Sequence, residues 1–254
     1  MDPREVQRLI NATTGVNRGR TRADPYTACQ NCGASCVSWR HGRLMMNGLP
    51  LFRSIETAAA ITDRVLVSFS GGKDSVVTLD LCMKHFKHVE GFFMYQVRGL
   101  SFQEAIIRYY EDKYSIPIHR IPHFELSQWL RYGAFRNYDF SCPIVSVKET
   151  YDYIRDNTGI WWIAAGERIS DSVWRRAMIK SSGTIDEKRG RFYPIAEWGK
   201  ENIRAYIRQR KLKVGAESEK LGFSFRSFAP KDLIAIRDNF PADYAKNQRM
   251  VPAC

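Results

Sequence analysis

Two groups of residues in this chain carry chemistry by type and spacing. The first is Ser70-Gly71-Gly72-Lys73-Asp74-Ser75. Adjacent glycines let the backbone turn where a Cβ would forbid it, and they let main-chain N–H groups approach an anion closely. Lys73 adds a full positive charge and Ser75 a hydroxyl donor. A helix beginning there aims its free N–H groups and positive dipole end at the same point. That set suits a chain of phosphates. The second group is Cys29, Cys32 and Cys36, spaced Cys-x-x-Cys-x-x-x-Cys. This spacing brings sulfurs to one metal centre, with Gly33 easing the turn. Three ligands leave a fourth position for Cys142, Cys82, Cys254, a histidine such as His41, or a substrate. Iron–sulfur and zinc both fit; an open position suits sulfur chemistry and favours the cluster. Three reduced structural thiols are the alternative.

The elements that must position these groups follow from hydrophobic pattern. Val65, Leu66, Val67 and Phe69 form the short apolar run of a buried parallel strand, with Ser68 at its end, and the glycines break it. Val76, Leu79, Met83 and Phe86 then mark one apolar face of a helix, and Cys82, His85 and His88 read as structural residues on it. A helix is expected over residues 51–60, a second strand over 92–97, a helix over 101–113 and a third strand over 116–121. Arg98 lies just past the carboxyl end of the second strand, where ligands sit in open α/β sheets. A further strand over 160–165 leads to Gly166, Arg168 and Arg175. With Arg168 in the loop and Arg175 on the next helix, both can converge on phosphate or sulfate. Lys148, near a helix start, supplies another cation, whereas Arg176 reads as a surface residue.

After Trp198, Ile203, Tyr206 and Ile207 face one side of a helix. Lys200, Arg204, Arg208 and Lys211 face the other, as a solvated stripe or a track for a polyanion. Near the amino end, Asp2-Pro3 opens a short amphipathic helix, and Arg18, Arg20 and Arg22 lie in a polar arm, a linker or a nucleic-acid contact. The expected fold is a doubly wound, mostly parallel α/β sheet with a cysteine-bearing amino-terminal extension over 1–58. The nucleotide domain spans 59–212, and a tail over 213–254 packs on it.

Composition sets outer limits. The 254 residues are 44% hydrophobic and 26% charged, as in an ordinary globular protein. No apolar run reaches membrane-span length and no signal-peptide core opens the chain, so a cytoplasmic protein with no membrane partner is expected. Thirty-nine Lys and Arg against 27 Asp and Glu give a net charge of +12, which implies anionic partners. In that setting six cysteines point to metal or redox chemistry rather than a disulfide framework.

The order Ser-Gly-Gly-Lys-Asp-Ser differs from a Walker A loop, which has four residues between its first glycine and Gly-Lys-Ser/Thr. It resembles the SGGKDS signature of the PP-loop ATP pyrophosphatases, in the adenine nucleotide alpha-hydrolase superfamily. Three further stretches resemble the phosphoadenosine phosphosulfate (PAPS) reductase-like branch. They are Cys142 to Lys148, the run Gly166-Glu-Arg168-Ile-Ser-Asp171-Ser172-Val-Trp-Arg175, and Tyr193-Pro194-Ile-Ala-Glu-Trp198. Asp171 stands where that branch has Glu. The resemblance covers about residues 60–210 and implies ATP with Mg²⁺ as cofactors. Lys73, Asp74, Arg168 and Arg175 are then catalytic, and Asp74 helps hold Mg²⁺. Ser68, Ser70, Gly71, Gly72, Ser75, Lys148 and Gly166 join them around the nucleotide, with Arg98 added for its place past the second strand; apart from the resemblance, Cys142 is a candidate fourth ligand beside the three metal thiols.

The implied reaction is attack of a substrate oxygen on the α-phosphorus with loss of pyrophosphate, coupled to sulfur transfer. A nucleic acid such as tRNA or DNA is a candidate acceptor, and a sulfur-donor protein a candidate partner; oligomeric state stays open. One alternative is a true PAPS reductase, in which a thiolate attacks the sulfate sulfur. The tail argues against it, for it has no Cys-Gly pair followed by His, only Cys254. The other alternative is a non-catalytic nucleotide- and metal-binding protein.

Overall fold

A short antiparallel sheet of β1 (Val37–Arg40), β2 (Arg43–Met46) and β3 (Leu49–Pro50) precedes helix α1 (Arg53–Ile61) and the strand that organises the rest, β4 (Arg64–Ser68). The structure, a computed structural model, describes residues 37–40, 43–46, 49–133, 137–221 and 230–250. In β4, Val65, Leu66 and Val67 are fully buried. Val65 and Val67 pack with residues of α1, of α2 (Lys73–His85) and of α3 (Ser101–Tyr114). Leu66 joins the opposite cluster, with Phe92 of β5 (His88–Tyr95) and Tyr151 and Ile154 of a later helix. A strand buried on both faces carries an unbroken apolar run, as the sequence does here.

From β4 the chain winds outward through β5 to β6 (Ile118–Pro122), then passes helix α4 (Glu125–Tyr132) and α5 (Val147–Thr158). It returns on the other side of β4 as β7 (Ile163–Ala164). Helix α6 (Val173–Ser182), the short strand β8 (Ile185–Asp186) and β9 (Arg191–Phe192) complete a six-stranded sheet of order β6-β5-β4-β7-β9-β8. Within this six-stranded sheet, the β8–β9 pair is antiparallel and the other described pairs are parallel. The reversal of winding between β4 and β7 opens a crevice at their carboxyl ends, the place where such sheets bind ligands. Helices α7 (Lys200–Arg210), α8 (Ala216–Leu221), α9 (Pro230–Asn239) and α10 (Pro241–Met250) follow. No described helix is long and apolar enough to cross a membrane.

The expected fold class holds, with local corrections. His88 lies on β5 and not on α2, which stops at His85. The strand reaches back past Phe92 because Glu90 accepts from His119 of β6 at 2.7 Å and pairs with His88 at 2.8 Å, giving a polar strand start that hydrophobicity alone misses. The run 160–165 ladders over only two residues, although Leu66 N still donates to Trp162 O at 2.8 Å. Helix α5 begins at Val147, where Ser146 and Glu149 close a capping box.

Long-range polar contacts fasten the helices. Asp80 of α2, 1% exposed, accepts from Tyr114 of α3 at 2.6 Å, from Tyr206 of α7 at 2.6 Å and from Arg210 Nε at 3.2 Å, with Lys84 Nζ at 3.2 Å. Burial pushes its pKa up, but those hydrogen bonds and the Lys84 charge outweigh it and hold the carboxyl below its ordinary 3.8. Asp80→Ala leaves Arg210 and two tyrosine hydroxyls without their acceptor and is expected to cost about 3–5 kcal/mol in urea unfolding. Because the folded pKa is depressed, the stabilisation is full at neutral pH and fades as pH falls below about 3.8. Asp80→Asn is expected to lose that acid-side dependence; an unchanged pH profile would mean the network carries little stability.

Candidate functional site

The loop between β4 and α2 is shaped by close contacts. Gly71 has φ +73°, and a Cβ there would stand 2.8 Å from Ile106 Cγ2. Its carbonyl accepts from Gly215 N at 2.8 Å, so the segment before α8 clamps the turn. The Ser75 hydroxyl accepts from Ser70 N at 3.1 Å and donates to Gly72 O at 3.0 Å, bracketing the loop from inside. Gly72 caps α2 without any side-chain hydrogen bond, so no side chain covers the first N–H groups of the helix. From across the crevice, Gly166 approaches so closely that a Cβ would lie 3.1 Å from the Asp74 carbonyl carbon and from Thr78 Oγ1.

The charges form an alternating row. Lys73 Nζ lies 3.1 Å from Asp74 Oδ2, and Asp74 Oδ1 lies 3.2 Å from Arg168 Nε. Arg168 Nη2 donates to Asp171 Oδ1 at 2.7 Å, and Arg175 Nη1 donates to Asp171 Oδ2 at 3.2 Å. The Asp74–Arg168 pair is close in charge yet misaligned for a hydrogen bond, since Asp74 Oδ1 and Arg168 Nε are both buried with no hydrogen-bond partner among the described residues. Arg168 is 2% exposed, while the side chains of Lys73 and Arg175 are about two-fifths exposed, at 42% and 40%. Two carboxylates thus hold the inner guanidinium, and the outer cations face the crevice.

That crevice is a cavity of about 340 Å³, within the range of small-ligand sites. Ser68, Ser70, Gly72, Lys73, Asp74 and Ser75 line one side; Gly166, Glu167, Asp171 and Arg175 line the other. Phe69, Phe93 and Met94 give it an apolar floor, Gln96, Gln103 and His123 add polar groups, and Glu217 and Ser218 of α8 close it. Burial lowers the His123 pKa, partly offset by the charge of Glu125. The His123 Nδ1 lies 3.3 Å from Glu125 N and 3.5 Å from Glu125 Oε2.

Most of the residues expected at the site meet there. Arg168 stands behind the lining, bound to Asp74 and Asp171, and Gly71 shapes the turn. Three expected residues are not brought to the cavity. The Lys148 side chain is 84% exposed, and its ammonium turns to Asp152 one helical turn on, at 2.6 Å. Arg98 is exposed beyond the strand end. Half-buried Cys142 directs Sγ toward Ser127 O and Pro143 O, each at 3.8 Å. Cys29, Cys32, Cys36 and Cys254 lie outside the described residues, and no group of three metal-ligating side chains occurs among those described. The described residues therefore do not supply a cluster site. For Mg²⁺ they offer one carboxylate at the loop, Asp74, which lines the cavity and whose Oδ1 is engaged by Arg168 while Oδ2 lies 3.1 Å from Lys73 Nζ.

Sequence reasoning missed Gln96 and His123, although each follows a strand's carboxyl end, the signal used for Arg98. Asp171 was noted only as a departure from a motif; in the structure it joins both arginines. Glu217 has no local signal.

No curated protein matches the chain. It is similar to the solved structure of the U34-tRNA thiolase NcsA from Methanococcus maripaludis with its [4Fe-4S] cluster, at 13% identity and TM-score 0.44, over 87% of this chain and 86% of that one. The PAPS reductase from Candida auris, a phosphate complex, aligns at 18% identity and TM-score 0.47, over 68% of this chain and 87% of that one. The NH3-dependent NAD synthetase from Campylobacter jejuni aligns at 14% and 0.45, over 78% and 88%. Residues 64–216, which include β4, the phosphate-type loop and both arginines, match the phosphoadenosine phosphosulfate reductase domain, and the chain belongs to that family.

Proposed function

We propose that the chain is an enzyme that binds ATP in this cavity and splits it between the α- and β-phosphates, passing AMP to an acceptor oxygen as the activating step of sulfur transfer. The observation that carries the reading is the intact Ser70–Ser75 loop at an uncapped helix start, facing Arg175 across the crevice. In the reaction an acceptor oxygen attacks the α-phosphorus, the bond to the bridging oxygen breaks, and pyrophosphate leaves with the electron pair. Loop N–H groups and Lys73 neutralise that leaving group, which is stabilisation of developing charge by donors already in place. Arg175 grips the phosphates or the acceptor, and Asp171 fixes its reach. Asp74 is the residue that would hold Mg²⁺, which when bound shields the phosphate charge. The net charge of +12 supports a nucleic-acid acceptor.

A second reading, PAPS reduction, has the family description in its favour. It requires a thiolate at the sulfate, and no cysteine lines the cavity among the described residues. Incubation with ATP and Mg²⁺, beside a tube with PAPS and a thiol donor, separates the two: pyrophosphate supports the first and sulfite the second.

Lys73→Ala is expected to cut pyrophosphate release by roughly 10- to 150-fold, the equivalent of 1.5–3 kcal/mol for a charge-assisted contact, with the melting temperature unchanged. Turnover at the wild-type rate would remove the assignment of the loop. Arg175→Ala is expected to lower turnover with little change in melting, because its side chain is 40% exposed. Arg168→Ala should lower both, since it strands two carboxylates, and Arg176→Ala neither. Equal losses at all three positions would mean that the charge row does not mark the site. For the thiols, we propose one metal centre on Cys29, Cys32 and Cys36, with Cys142 as a candidate fourth ligand. Anaerobically purified protein should hold about one centre per chain, coloured if iron–sulfur and colourless if zinc. A metal-free protein whose triple Cys→Ser variant melts and turns over normally would exclude it.

A further inference from the structure

The cavity has two halves of different chemistry. Among the described residues that line it, lysine and arginine occur only as Lys73 and Arg175, at the start of α2 and on α6. The side over β5 and β6 is built otherwise. Phe93 and Met94 make it apolar, and Gln96, Gln103 and His123 bring hydrogen-bonding groups to it. Glu125 engages two of those three: its Oε2 accepts from Gln96 Nε2 at 3.4 Å and lies 3.5 Å from His123 Nδ1. Gln103 is different. It is 5% exposed, yet its side-chain amide has no hydrogen-bond partner among the described residues. The turn of α3 that carries it is held firmly. Asp243 of α10 accepts from Ser101 N at 2.9 Å, the Phe102 and Phe240 rings pack with centroids 4.4 Å apart, and Ile106, one turn beyond Gln103, closes on Gly71 of the loop.

A buried amide without a partner is costly, so one fixed in the wall of a cavity calls for a ligand that completes it. An amide offers an acceptor and a donor side by side. Beside an apolar floor, the partner that satisfies both is a flat heterocycle with a donor next to an acceptor on one edge. Resting on the ATP reading above, we propose that Gln103 selects adenine, its Oε1 accepting from the exocyclic N6–H and its Nε2 donating to N7. That edge discriminates even for an amide that is free to turn over. Guanine presents two acceptors there, O6 and N7, so either orientation of the amide forms one hydrogen bond and sets Oε1 against a second acceptor. Adenine forms both bonds. The base then occupies the half over β5 and β6, and the phosphates the half with Lys73 and Arg175.

The test is titration calorimetry of the full chain with ATP, GTP and 7-deaza-ATP, each with Mg²⁺, and with inorganic pyrophosphate as a probe of the phosphate half alone. In 7-deaza-ATP a C–H replaces N7 and the exocyclic amine stays. The wild type is expected to bind ATP about 5- to 150-fold more tightly than GTP, the range for a paired contact to a base edge. It should bind 7-deaza-ATP roughly tenfold more weakly than ATP, for one lost hydrogen bond. Gln103→Leu should bind the three nucleotides alike to within about twofold, because the contact that separates them is gone. Its pyrophosphate affinity should equal that of the wild type, and it should melt no lower. Equal wild-type affinity for ATP and 7-deaza-ATP would overturn the proposal whatever the variant does, as would a Gln103→Leu protein that still separates the two. A wild type that binds ATP and GTP equally overturns the base reading alone. One that binds pyrophosphate but none of the nucleotides overturns the ATP reading, and this inference with it.

Discussion

The site depends on one buried guanidinium. Arg168 is 2% exposed, and removing such a charge from water costs several kcal/mol unless partners surround it. Asp74 and Asp171 supply that surrounding from opposite sides of the crevice, one from the start of α2 and one from the loop before α6. Neither carboxylate is then free to cancel the outer cations. Lys73 and Arg175 keep their charge toward the cavity because the acids between them are shared with Arg168. The row alternates, begins and ends positive, and so remains suited to an anion.

That row exists only because backbones come close. Gly166 lets the end of β7 meet the first turn of α2, and Gly71 lets the loop turn under Ile106. Both contacts sit where the winding of the sheet reverses, so topology and side-chain chemistry converge on one place. The segment before α8 adds a third constraint. Gly215 N holds the Gly71 carbonyl, and Tyr110 OH donates to Lys213 O at 2.7 Å, so the chain beyond α7 helps to fix the loop.

The parts legible in the sequence are those fixed by neighbours in the chain. β4, the loop and α2 form one continuous run of apolar, glycine and amphipathic signals, and each appears where the pattern put it. Arg168 and Arg175 were legible as a pair, because their spacing places one before a helix and one on it. Asp171 was visible as a residue but its double role was not, since pairing to both arginines depends on how the loop folds back. Lys148 misled for the opposite reason: proximity to a helix start says nothing about which neighbour the ammonium prefers, and Asp152 four residues on is nearer than any ligand. Asp80, Glu217 and His123 owe their roles to partners or walls far away in sequence or to burial, which no local spacing encodes.

The distribution of charge between inside and outside also bears on function. Among the described residues the buried acids are Asp80, Asp186, Glu217, Asp232 and Asp243, whereas Arg168 is the buried base. Asp243 accepts from Ser101 N at 2.9 Å and holds Lys246 at 3.0 Å, fastening α10 to the start of α3, as Asp80 fastens α7 to α2. Carboxylates are thus spent on joining elements, and cations are left outside. The net charge of the chain is +12. A field of that sign draws polyanions toward the molecule from beyond contact distance and weakens as salt rises. The field does not choose a place for them on the surface.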